Sequence, residues 1–197
     1  MRRRLMLLAP MALTACASLL PAQKYVARTD WPLEPEPPSH APASANGPVL
    51  MVRPISAAPG LDARGVQSIA ADGSLTVDYY NLWAVDPAEA VTQALLDWTQ
   101  ASGVFSAVIT PGSRLDATLI LEGELTELVA DPAHNEARAV LTLVVIKAAG
   151  TTLPLAQVRL AGTAPLNGTD PAAEVAAQSA ALASVLAQAV ALVTHFA

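Results

Sequence analysis

The chain has 197 residues, 53% of them hydrophobic but only 4% aromatic, with a formal net charge of −6. That is enough apolar material for one domain whose core is filled by Ala, Val and Leu rather than by aromatic rings. The acidic balance counts against nucleic acid as a partner, because phosphate binding needs clustered Lys and Arg, and a single cysteine rules out a disulfide framework.

The chain opens on an export signal. Arg2, Arg3 and Arg4 form a positive region and Leu5 to Leu13 an apolar one, as long as a secretory signal needs and too short to span a bilayer. It closes on Leu13-Thr14-Ala15-Cys16, which contains the one cysteine. These four residues resemble the lipobox of bacterial lipoproteins, in which the cysteine thiol is diacylated, the signal is cut just before it and the new amine is acylated. The resemblance implies that residues 1–15 are a signal peptide and that Cys16 begins the mature chain as its membrane anchor. Each buried methylene contributes about 0.8 kcal/mol, and two or more acyl chains hold stably where one does not. The alternatives are an ordinary secretory signal cut after Ala15, leaving a free thiol, and a buried cysteine of no consequence. In the lipoproteins this resembles, Asp directly after the cysteine retains the protein in the inner membrane. Ala17 stands there, which implies an outer-membrane anchor with the domain facing the periplasm. Loss of the three N-terminal arginines leaves eight basic against 17 acidic side chains, a net charge near −9. No later segment reads as an uninterrupted apolar run long enough for a transmembrane helix.

Residues 29–48 hold six of the 16 prolines, through Trp31-Pro32-Leu33-Glu34-Pro35-Glu36-Pro37-Pro38 to Pro42 and Pro48. Proline blocks helix and ladder bonding, so residues 16–47 read as a lipidated N-terminus with an extended, semi-rigid spacer. This is either a stalk or a disordered tail. The folded domain, 48–197, is expected to start with a buried strand at Val49-Leu50-Met51-Val52-Arg53. Val66–Ile69 and Leu75–Tyr79, separated by Asp72-Gly73, predict a hairpin. A helix follows: Asp86 as N-cap, Pro87 at the first position, Glu89 completing a capping box and Gly103 where a left-handed residue ends it. Val91, Leu95 and Trp98 share one stripe of that helix and are expected to pack on a sheet.

From Val104 the period becomes two. Val104–Ile109 predicts a short strand, Leu115 to Glu122 a longer one, and Ala139–Lys147 and Leu153–Ala161 two more across an Ala148-Ala149-Gly150 turn, the three long ones forming an antiparallel meander. Asp170-Pro171 opens an alanine-rich helix to about Thr194, with Leu182, Val185, Leu186, Ala189, Val193 and Phe196 on one stripe. The expected fold is a single α+β domain, a mixed, largely antiparallel sheet of six to seven strands flanked by two helices.

Several short motifs then fall into one pattern: Pro59-Gly60-Leu61-Asp62-Ala63-Arg64-Gly65, Tyr79-Tyr80-Asn81-Leu82-Trp83-Ala84 before the first helix, and Ser102-Gly103-Val104-Phe105 with Val108 after it. In these the chain resembles the auxiliary lipoproteins of bacterial ABC-type lipid transport systems. The resemblance implies a periplasm-facing lipoprotein that works with an ABC permease and ATPase and with a substrate-binding protein of the mammalian-cell-entry (MCE) type, moving phospholipids between the two membranes. Tyr80 and Trp83 are then candidate partner contacts, though aromatics ahead of a helix also serve to plug the end of a core. A second candidate is the uncharged face of the last helix carrying Ser184, Gln188 and Ala191. Glu174 is its one ionised side chain from Pro171 to Thr194, so one face is expected against a second copy of the chain or the transporter, unless both are covered within the domain or the helix is simply rich in alanine.

Catalytic chemistry is sparse. No nucleophile elbow, phosphate loop, zinc spacing or dinucleotide fingerprint occurs, and His40, His134 and His195 are scattered along the chain, so no metal site, cofactor or enzymatic activity is expected. Glu122, Glu124 and Glu127 come closest to a carboxylate cluster, which supports an anchored periplasmic hydrolase or a cation site less well than a solvated strand face. A structural lipoprotein scaffolding outer-membrane assembly is the remaining alternative.

Overall fold

The computed structural model describes residues 25–61, 63–148 and 153–197. The signal segment, Cys16, Asp62 and Ala149-Gly150 of the expected turn lie outside them. In chain order the strands are β1 (Thr29–Trp31), β2 (Val49–Val52), β3 (Ser56–Ala57), β4 (Gly65–Ile69) and β5 (Leu75–Trp83), then helix α1 (Pro87–Ala101), β6 (Ala107–Ile109), β7 (Leu119–Asp131), β8 (Glu136–Lys147), β9 (Leu153–Pro165) and helix α2 (Pro171–His195).

The nine strands form one mixed sheet, more than the six or seven expected, because β1 and β3 come from segments whose prolines hide them. Strand β7 is its spine. One edge of β7 pairs with β8 in a long antiparallel ladder, and β9 continues the meander. The other edge is shared by three short parallel strands: β2 at Leu119–Leu121, β3 at Glu124-Leu125 and β4 at Ala130. Beyond them, β6 adds to β2, and the β4–β5 hairpin carries β1 at its margin. The hairpin turns where expected, at Gly73 (φ 83°), with the Asp72 carboxylate accepting from the Ser74 backbone N–H at 2.9 Å and its hydroxyl at 2.6 Å.

A bulge at Thr126 interrupts the β7–β8 register between Leu125 and Glu127. A strand alternates faces with period two, so the extra residue moves every later side chain of β7 to the opposite face. It keeps Leu128 on the buried side with Leu119, Leu121 and Leu125, and brings Glu127 onto the same face as Glu122 and Glu124.

Both helices cover one face of the sheet and touch each other; they do not flank it on two sides. Asp86 caps α1 by accepting from the Ala88 N–H at 2.9 Å, and Gly103 follows its end at φ 70°. Val91, Leu95 and Trp98 are buried as expected. Helix α2 lies over β8 and β9, burying Leu182, Val185, Leu186, Ala189 and Val193, with Phe196 half-buried. It comes so close that a Cβ at Gly162 of β9 would sit 2.5 Å from the Ala181 carbonyl oxygen. By length and composition α2 alone among the described helices has what a membrane span requires, yet its apolar stripe is the domain's core.

Two local expectations are corrected. Of Val104–Ile109 only Ala107–Ile109 is strand, and residues 115–118 are not strand at all, with Leu115 exposed. β8 ends opposite Leu119 and the ladder gives out at Thr118, which donates its N–H to the Val49 carbonyl and accepts from the Ala148 N–H, each at 2.9 Å, so nothing carries it on to Leu115–Ala117. The second correction concerns the Pro-rich segment, which is packed onto the domain. Trp31 pairs beside Trp83, Leu33 is 1% exposed, the Trp98 indole N–H donates to the Pro35 carbonyl at 2.6 Å, and Ala41 N–H donates to Ala101 at 2.8 Å. Proline removes N–H donors but leaves carbonyls, and the strap is held by the Pro35 carbonyl, the buried Leu33 side chain and the N–H of the non-proline Ala41.

Candidate interaction surfaces

The Tyr79–Trp83 stretch ends β5 and splits into a buried and an exposed part. Trp83 is 1% exposed and belongs to the core, so its role is to seal the end of the sheet rather than to touch a partner. Arg64 holds it there: its Nε donates to the Trp83 carbonyl at 2.7 Å while its other nitrogen pairs with Asp30 at 2.6 Å, fastening β1 to the hairpin. Tyr80, by contrast, is exposed, and Tyr79 more so. Both stand on a wide bulge, four residues of β5 facing the single Val66 between the Gln67–Val77 and Gly65–Leu82 pairs. Asp78 organises that bulge, accepting from the backbone N–H of Tyr80 (2.7 Å) and Asn81 (3.0 Å) and from the Asn81 amide (2.8 Å). Burial works against its charge, but these donors outweigh it and hold the carboxyl below its usual value. Asn81 in turn accepts from the Trp31 indole at 3.1 Å.

On the last helix, Ser184, Gln188 and Ala191 all face solvent. Gln188 is already engaged, its amide donating to the Ala161 carbonyl of β9 at 2.9 Å and to Ser184 at 3.2 Å. The rest of this face is alanine and uncharged. At the helix start, burial first and then repulsion from Asp78 and Asp170 push the Glu174 carboxyl up.

Glu122, Glu124 and Glu127 share the open face of the sheet, and two of them sit in ion pairs: Glu122 with Arg53 at 2.7 Å, Glu127 with Arg138 at 2.7 Å. Among the described residues no three His, Cys, Asp or Glu side chains group as a metal site. His134 lies beside Asp131 at 2.9 Å, remote in sequence from His40 and His195.

A groove of about 950 Å³ runs between the strap and α1, lined among others by Leu33, Pro35, Ile55 and Leu96 and by the carboxylates Glu34, Glu36, Asp86, Glu89 and Asp97. No lysine or arginine lines it, so it offers no cationic side chain to a phosphate group. Sequence reasoning missed this groove because it read its outer wall as a free spacer.

A family described as ABC-type transport auxiliary lipoprotein component matches residues 31–190, from β1 almost to the end of α2. The chain belongs to this family. Membership makes it a lipoprotein component of ABC-type transport, and the match covers the strap, Arg64, α1 and α2 as far as Val190. Known structures agree on the fold. Protein XCC0632 from Xanthomonas campestris, of the DUF330 family, superposes with a TM-score of 0.69 at 20% identity, covering 85% of this chain and 97% of that one. An uncharacterized protein gives 0.61 at 14% identity, over 80% and 99%. The hypothetical protein CT253 from Chlamydia trachomatis gives 0.53 at 11% identity, over 76% and 97%. No curated protein matches the chain.

Proposed function

We propose that this auxiliary lipoprotein is anchored through Cys16 in the outer membrane, faces the periplasm, and serves an ABC system that moves phospholipid through an MCE-type channel, docking on or stabilising that channel. The observation that carries the reading is the family match across residues 31–190. The lipobox-like Leu13-Thr14-Ala15-Cys16 supports the anchor, and Ala17 supports the outer membrane. Partner contact falls to the exposed outer face of α2, while Trp83 stays in the core. The groove beside α1 holds no cationic side chain to pair with a lipid phosphate, which favours a docking role over carriage of an anionic lipid by this chain.

The test combines mass and partnership. Intact mass of the membrane-extracted chain is expected to exceed that of residues 16–197 by acyl groups, and Cys16→Ser is expected to move the protein to the soluble fraction. Detergent extraction and co-purification are expected to bring down an MCE-type protein with its permease and ATPase. An unacylated wild-type chain would sink the anchor, and repeated co-purification without any MCE-type protein would sink the channel partnership.

A further inference from the structure

The described residues include ten exposed large hydrophobic side chains; four of them, Leu75, Val77, Tyr79 and Tyr80, lie on β5, and two more, Tyr25 and Val26, lie just before β1. Leu75, Val77 and Tyr79 alternate along β5. The parallel pairing of β1 with β5 sets Thr29 opposite Asn81, and the Arg28 guanidinium lies 4.0 Å above the Tyr79 ring, so the segment that begins at Tyr25 meets β5 at the Tyr79 corner. Tyr79 and Tyr80 stand edge to face, with centroids 5.2 Å apart.

We infer that this corner is a membrane-contact surface that rests in the headgroup layer of the phospholipid bilayer holding the Cys16 anchor; the inference rests on the anchoring proposed above. Two observations select a bilayer. The first is reach. Nine residue steps separate Cys16 from Tyr25, a fully extended span of roughly 30 Å at most, so an acylated chain keeps this corner close to the membrane surface and no other part of the domain is tethered so tightly. The second is charge. In a mature chain of net charge near −9 there is no Asp or Glu from Cys16 to Thr29, only the cations Lys24 and Arg28. An acid-free, basic segment beside tyrosines is the composition of a membrane interface, where amphipathic rings sit at headgroup level and cations meet lipid phosphates. The carboxylates around the corner are engaged: Asp78 is turned onto backbone N–H groups of the bulge, Asp30 pairs with Arg64 and Asp72 accepts from Ser74.

The test exploits the single cysteine. Acylation consumes the Cys16 thiol, so Val77→Cys, or independently Leu75→Cys, supplies one free thiol for a nitroxide label at an exposed position. The full mature chain is reconstituted in vesicles of phosphatidylethanolamine and phosphatidylglycerol, and relaxation of the label by oxygen and by a water-soluble nickel chelate is compared with the same label at Thr163→Cys on exposed β9. Labels at 75 and 77 are expected to show a several-fold higher oxygen-to-nickel ratio than the control, and to lose that difference in a soluble Cys16→Ser background. One label per chain with control-like ratios at 75 and 77 overturns the membrane contact and leaves the anchor standing. Protection that persists in the soluble background also overturns it, because a protein surface then covers the corner. Two labels per chain show a free Cys16 thiol and remove the anchor together with the contact built on it.

Discussion

Arg138 gathers three carboxylates at the turn end of the β7–β8 hairpin: Glu127 at 2.7 Å, Asp131 at 2.7 Å and Glu136 at 3.3 Å. Asp131 is almost fully buried, and the Arg138 guanidinium first, then the His134 ring, hold its carboxyl below the usual value. A carboxyl depressed in the folded state contributes stability above its unfolded value, about 3.9, and loses that contribution as pH falls through the lower folded value. Asp131→Asn is therefore expected to lower Tm at neutral pH and to flatten its fall between about pH 5 and pH 2. Thermal melts across that range check it, and wild-type and variant curves that run parallel would show that Asp131 does not carry the acid sensitivity. The Glu122–Arg53 pair is about half exposed on its arginine side, where such pairs are worth little.

Trp98 joins two elements, burying its ring under α1 and donating its indole N–H to the strap at Pro35. Trp98→Ala removes both and is expected to cost about 3–5 kcal/mol, a Tm drop of roughly 6–20 °C. Trp98→Phe keeps most of the ring and loses the bond, about 1 kcal/mol, while residues 33–42 become the first site of proteolytic nicking. Equal Tm losses in the two variants would mean that the indole bond, not the packing, dominates. Most of the elements were legible beforehand because their signals are local. Asp86-Pro87 and Asp170-Pro171 announce helix starts, Asp72-Gly73 a hairpin, and alternation the long strands. What was illegible depends on partners far along the chain. Thr29–Trp31 becomes strand only because β5 offers an edge, Leu115–Ala117 fails to because the ladder stops at Thr118, and the bulge at Thr126 changes the face of Glu127 through register with β8. The candidate contacts divide in the same way: an aromatic pair in sequence does not say that Trp83 goes inward and Tyr80 outward, since the Arg64 clamp and the Asp78 bulge decide it.

For the molecule as a whole, one sheet face is covered by helices, the other is solvated by ion pairs, and the strap walls off α1, leaving the outer side of α2 as an exposed surface with almost no charge. Ala176, Ala180, Ser184, Ala187 and Ala191 face solvent there. Such a helix face normally carries charge, and small uncharged side chains desolvate cheaply and permit close backbone approach, which suits it to the transporter or a second copy of the chain. Gln188 is a poor place to test this, because it ties α2 to the Ala161 carbonyl and its loss would loosen the fold. Ser184→Glu with Ala191→Lys changes only exposed positions and is expected to leave stability within about 0.5 kcal/mol. Buried in an interface, the same two charges would each lose hydration without a partner, so recovery of the transporter in pull-down, or self-association in light scattering, is expected to fall sharply at unchanged Tm. If the doubly substituted protein associates as wild type does, α2 faces only solvent and docking passes to the acidic groove, whose five carboxylates would then require a basic segment on the partner.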